Sequence, residues 1–80
     1  MKSEVDRQHL FFERVAILVK SAKTHNGKSV KEISAETKIM RSTLYNYLGR
    51  LYMPSVTALE KLADYFGVTT DYLLGREEWQ

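Results

Sequence analysis

A serine and a glutamate three residues apart, Ser29 and Glu32, stand ahead of an apolar series that breaks and restarts in a new phase. No other feature constrains the chain as tightly. In such an S-x-x-E capping box the serine side chain takes an orphan amide of the helix start, and the glutamate reaches back to the serine's own amide. A helix therefore begins at Ser29, buries Ile33 and ends near Thr37, where the apolar spacing breaks. The spacing resumes at Ile39, and Leu44, Tyr47 and Leu48 then recur at i, i+3 and i+4, the buried face of a second helix starting at Met40 or Arg41. Ile39 is expected to plug the corner between the two. On the outer side of the second helix lie Arg41, Ser42, Tyr45 and Asn46. Guanidinium, hydroxyl and amide groups in place of the usual Glu and Lys of a solvated face suit base edges and phosphates.

Composition bounds what surrounds this unit. Eighty residues, 44% apolar, make one domain with one core, so residues 1–80 are taken as a single unit ending in a short tail, 76–80. With no cysteine, neither a disulfide nor a thiolate zinc site staples the fold, and the core must hold it. No run approaches the roughly 20 apolar residues of a membrane span, and the polar, acidic start MKSEVDRQ differs from a signal peptide, so a cytoplasmic protein without a membrane partner is expected. The net charge of +2 is unevenly placed. Residues 20–53 hold seven basic side chains (Lys20, Lys23, Lys28, Lys31, Lys38, Arg41, Arg50) against Glu32 and Glu36, a balance of 7 − 2 = +5, and the remainder carries −3. Positive charge thus gathers where phosphate neutralisation would be needed.

Along the chain, Ser3 and Asp6 offer a weaker capping box for a first helix over about residues 4–23, with Phe12, Val15, Leu18, Val19 and Ala22 at helical spacing. Thr24, His25, Asn26 and Gly27 are expected to form a turn. Gly49 to Pro54 marks a loop, and Ser55 caps a fourth helix whose stripe is Leu59, Leu62, Ala63 and Phe66 and whose end is set by Gly67 and Val68. Thr69 opens a short fifth helix, with Asp71 in its first turn and Leu73 and Leu74 turned inward, and Gly75 stops it. The expected fold class is all-α, with five helices.

The stretch PSVTALEKLADYFGVTTDYLLG, Pro54 to Gly75, together with the pattern from Val15 onward, resembles the Cro and lambda-repressor-like helix-turn-helix family, also called Xre. That resemblance implies a five-helix lambda repressor-like DNA-binding domain in which the third helix lies in the major groove and the second crosses the backbone. It implies base contacts from Arg41, Ser42, Tyr45 and Asn46, with Arg41 suited to guanine and Asn46 to adenine. Arg50 and Tyr52, after the third helix, fall in the family's second backbone-contact region. The chain departs from the family at Val30, where relatives often carry glutamine, and at Ser34, Lys38 and Met40, where they often have alanine, a turn glycine and a capping serine or threonine. Without the glutamine, phosphate contact at the start of the second helix falls to Ser29, Lys31 or backbone amides. Lys38 at a positive φ costs on the order of 1 kcal/mol, and an uncapped Met40 a similar amount.

The expected function is sequence-specific recognition of a double-stranded DNA operator by a transcriptional regulator, a repressor of phage, prophage or bacterial type. One such helix reads only about four or five base pairs, so a weak homodimer with helices about 34 Å apart is expected. Tyr72, Leu74 and Trp79 are the apolar groups for its contact, with Trp79 near the two-fold axis. The rival reading is a helical protein-binding module, antitoxin-like or scaffold, that uses the same surface. Catalysis finds no constellation: His9 and His25 have no partner pattern, and no cofactor, metal or small-molecule ligand is expected.

Overall fold

The computed structural model describes the backbone of residues 4–76 and the side chains of residues 8–76, and the expectations for Ser3 with Asp6 and for Trp79 in the tail lie outside these. Five helices follow in order: α1 (Glu4–Asn26), α2 (Val30–Thr37), α3 (Arg41–Leu48), α4 (Val56–Phe66) and α5 (Thr70–Leu73). Among the described residues there is no strand, so the all-α class holds. No described helix is long and apolar enough to cross a membrane.

One boundary differs from expectation. Thr24, His25 and Asn26 continue α1 instead of forming a turn. His25 Nδ1 lies 3.2 Å from the Ser21 carbonyl oxygen one turn back, and Gly27, at φ +65°, makes the reversal. Turn-forming residues at a helix end are tolerated when a glycine just beyond them takes the left-handed position.

α1 runs across the assembly and packs against α3 and α5, while α2 packs against α3 and α4. The core is Phe11, Phe12, Val15 and Ala22 of α1, Ile33 of α2, Ile39 of the turn, Leu44 and Tyr47 of α3, Leu59, Leu62 and Ala63 of α4, and Leu73 of α5. Phe11, absent from the expected stripe, is fully buried and meets the Tyr47 ring edge-on at a centroid distance of 5.8 Å. Such a pairing adds about 0.5–1.5 kcal/mol to the burial of the two rings. Leu18 and Val19, expected inside, are half-buried at the edge of this cluster.

α1 is also tied to α5. The Arg14 guanidinium lies over the Tyr72 ring, 4.3 Å from its centroid, and donates to the Tyr72 carbonyl. Gly75 sits at φ +70°, and a Cβ there would come within 2.6 Å of Leu10 Cδ1. Here glycine serves both the left-handed backbone and the close approach of α1.

Candidate nucleic-acid interface

The capping box forms as expected at the start of α2. Ser29 Oγ accepts from the Glu32 amide at 3.3 Å, and the Ser29 amide donates to Glu32 Oε1 at 3.0 Å. These bonds, the Ser29 backbone first, hold the Glu32 carboxyl below its ordinary range. Ser29 Oγ also lies 3.2 Å from Glu32 Oε1, so its hydroxyl is engaged within the box. Lys31, one turn position further on, is exposed.

The corner between α2 and α3 is built without glycine. Lys38 takes φ 62°, ψ 30°, a left-handed backbone that side chains adopt at a cost, and its amide donates to the Ser34 carbonyl at 2.8 Å. Two hydroxyls support it. The buried Thr37 Oγ1 donates to the Ile33 carbonyl at 2.7 Å and accepts from the Ile39 amide at 3.2 Å, while Ser34 Oγ donates to the Ile39 carbonyl at 2.5 Å. Ile39, buried between them, fills the corner as expected. Met40 stands at the N-cap of α3 with no side-chain hydrogen bond, and its side chain is 71% exposed.

α3 buries Leu44 and Tyr47 and exposes Arg41, Ser42 and Tyr45, with Asn46 half-buried beside them. At about 100° per residue these four positions span roughly 140° of the helix surface, an unbroken outward arc. Among the described residues Arg41 is in no ion pair. Glu36, a carboxylate within reach by sequence, is occupied by Lys28 Nζ at 2.6 Å and by the Tyr65 hydroxyl at 2.5 Å. The Lys28 contact first, then Tyr65, holds the Glu36 carboxyl below its ordinary range, and Glu36 in turn raises Lys28. Lys28 therefore contributes little free positive charge, while Lys31, Lys38 and Arg41 are exposed around α2 and α3.

The segment after α3 brings Tyr52 against Asn46 of the arc, while the Arg50 side chain reaches His9 of α1. Arg50 takes φ 61°, its amide donates to the Tyr47 carbonyl at 3.1 Å, and the Leu51 amide donates to the Asn46 carbonyl at 2.9 Å. This is a Schellman cap with arginine in the place usually held by glycine. Arg50 Nη1 lies 3.3 Å from His9 Nδ1, and His9 Nε2 lies 3.2 Å from Glu13 Oε2. Tyr52 leans edge-on to the buried Tyr47 ring, 6.3 Å between centroids, and its hydroxyl accepts from Asn46 Nδ2 at 2.5 Å. Neither the His9–Arg50 nor the Asn46–Tyr52 contact has a spacing signal in the sequence, because half the chain or an irregular loop lies between the partners.

A cleft of ≈ 400 Å³ between α1, α2 and α4, lined by Leu18, Lys28, Glu36 and Tyr65, has no α3 residue in its wall. The outward arc of α3 thus lies apart from that cleft.

Two short helices joined by a tight corner, the second presenting its polar side outward, define a helix-turn-helix domain. Residues 16–78 match the family model described as "Helix-turn-helix domain". The chain belongs to this helix-turn-helix family, of the Cro and lambda-repressor-like kind. It is 35% identical over 60 residues to the HTH-type transcriptional regulator ImmR of Bacillus subtilis (strain 168), a match covering 75% of this chain and 47% of that protein. The chain thus spans about half the length of the curated relative it matches. No solved structure matches it.

Proposed function

We propose that this chain is a sequence-specific double-stranded DNA-binding transcriptional regulator, a repressor that sets α3 in the major groove and α2 across the phosphate backbone. The observation that carries the reading is the outward arc of α3. It exposes Arg41, Ser42 and Tyr45 beside Asn46, and the Arg41 guanidinium is in no ion pair among the described residues. A bare arginine on a helix flanked by further exposed cations suits bidentate contact with a guanine edge between two phosphate rows. In this reading Arg41, Ser42, Tyr45 and Asn46 meet bases and Lys31, Arg50 and Tyr52 meet phosphates, while Ser29, whose amide and hydroxyl both donate to Glu32, holds the start of α2. Likeness to a relative named a transcriptional regulator supports the regulatory assignment. A repressor of this type acts by covering a promoter, and two copies on one operator would supply the specificity a single α3 lacks.

The test is a titration of duplex DNA at several salt concentrations. Binding is expected to weaken steeply as salt rises, and Lys31→Ala to make the slope shallower by about 1 while lowering affinity for all sequences alike. A chain indifferent to duplex DNA at low salt would overturn the reading and favour a protein-binding module.

A further inference from the structure

The Asn46–Tyr52 contact does more than tie the loop to α3. Resting on the reading of α3 as the base-reading helix, we propose that Tyr52 is a positioning residue that fixes the Asn46 amide for one base, adenine. An asparagine amide on a free helix surface turns about its last torsion and offers its two ends in either sense, so its preference for a base edge is diluted. Here Asn46 Nδ2 donates to the Tyr52 hydroxyl at 2.5 Å, and this commits one of its two hydrogens. What remains is one N–H and the carbonyl oxygen, the donor and acceptor that adenine N7 and N6 require.

Tyr52 is itself held. Its ring stands edge-on to Tyr47 at 6.3 Å and 88°, and Tyr47 is buried with only 2% of its surface exposed. The edge-on geometry is a favourable aromatic arrangement and fixes where the hydroxyl sits. The Tyr52 side chain nonetheless remains exposed, and its hydroxyl, accepting from Asn46, keeps its own hydrogen for another acceptor. A phosphate oxygen is the acceptor that duplex DNA would bring to that hydroxyl. Backbone contact and base reading are then linked through one chain: phosphate, Tyr52 hydroxyl, Asn46 amide, adenine.

The experiment measures base preference at every operator position for the parent, Asn46→Ala, Tyr52→Phe and the double variant, on the duplex that the parent selects from random sequence. Tyr52→Phe keeps the ring on Tyr47 and removes only the hydroxyl. It is expected to lose adenine preference at one position by about tenfold, within the range of a bidentate pair, at the same position that Asn46→Ala relaxes. The double variant should lose no more preference than Asn46→Ala alone. If Asn46→Ala relaxes a position and Tyr52→Phe leaves it intact, or if the two losses add fully, the positioning role is overturned while the base-reading role of Asn46 stands. If Asn46→Ala changes no base preference, both fall together. Lowered affinity of Tyr52→Phe with unchanged preference would leave Tyr52 a phosphate contact alone and also overturn the proposal.

Discussion

The α2–α3 unit and the α4–α5 unit solve the same problem, ending and restarting a short helix, by different means. In the second unit every signal is local: Ser55 Oγ accepts from the Ala58 amide at 3.2 Å, Gly67 takes φ +68°, and Thr69 Oγ1 accepts from the Tyr72 amide at 3.0 Å. In the first, only the start at Ser29 is conventional. Lys38 and Arg50 hold left-handed positions without glycine, and Met40 begins α3 without a side-chain cap. The α4–α5 framework is specified by its own residues, whereas α3 is held by the core and by hydroxyls borrowed from α2. Its strained ends also carry exposed cations where a glycine would carry none. Strain of this kind persists only where surrounding structure over-determines it.

If α3 is held by the core, the largest effect should come from within it. Tyr47→Ala, which empties the space between Phe11 and Tyr52, is expected to cost about 3–5 kcal/mol, read from the shift of a denaturant midpoint. A loss near zero would mean that the caps of α3 suffice after all. The next effect belongs to the corner. Thr37→Val strands the Ile39 amide that Thr37 Oγ1 now satisfies and should cost about 1–3 kcal/mol by the same measurement.

The left-handed positions sharpen the contrast, because α4 already ends on a glycine that can only be lost, whereas α3 ends on an arginine that a glycine would improve. A Cβ at Gly67 would meet nothing within 4 Å, so Gly67→Ala carries only backbone strain and should destabilise by about 1 kcal/mol. Arg50→Gly relieves the same strain and should stabilise by up to about 1 kcal/mol, while it weakens DNA binding at all sequences. Loss of stability in Arg50→Gly would show that the His9 contact outweighs the strain.

Those same differences explain what was legible in the sequence. The helices flanked by Ser29, Ser55, Gly67, Thr69 and Gly75 could be read because each boundary residue acts on its own backbone, within a few positions. The inward assignments of Tyr47 and Ile39 followed from helical spacing and agree with their burial. Phe11 escaped because its neighbour Phe12 fitted the stripe, and only the packing of α3 on α1 brings Phe11 against Tyr47. The continuation of α1 through Asn26 was not legible because Thr24, His25 and Asn26 are turn formers by type and stand next to Gly27, which alone makes the reversal. Within the candidate interface, the outward arc was legible from what the buried face left over. The Asn46–Tyr52 and Arg50–His9 contacts were not, since each depends on where a left-handed Arg50 sends the chain. Tyr72 was expected to offer apolar surface to a second copy, yet it already carries the Arg14 guanidinium on its ring.

The smallest expected effect concerns pH. Glu36 is held below its ordinary value of 4.5 by Lys28 and then Tyr65, so its contribution to stability is full above that pH and is lost as pH falls through the depressed value. Lys28, raised above 10.5 by Glu36, contributes fully below that pH and loses its contribution as pH rises further. Glu36→Gln should therefore flatten part of the acid limb of a stability profile and leave the part due to Glu32. An acid limb identical to the parent's would remove Glu36 from the account of how α2 is tied to α4.

The central claim, that the under-capped α3 presents a DNA-reading surface, is tested most directly by selecting bound duplexes from random sequence with the parent and with Arg41→Ala in parallel. The parent is expected to enrich a motif of two related half-sites about 34 Å apart, with a guanine in each that Arg41→Ala no longer selects. An Arg41→Ala variant that enriches the same motif with the same guanine, or a parent that enriches nothing at low salt, would contradict it.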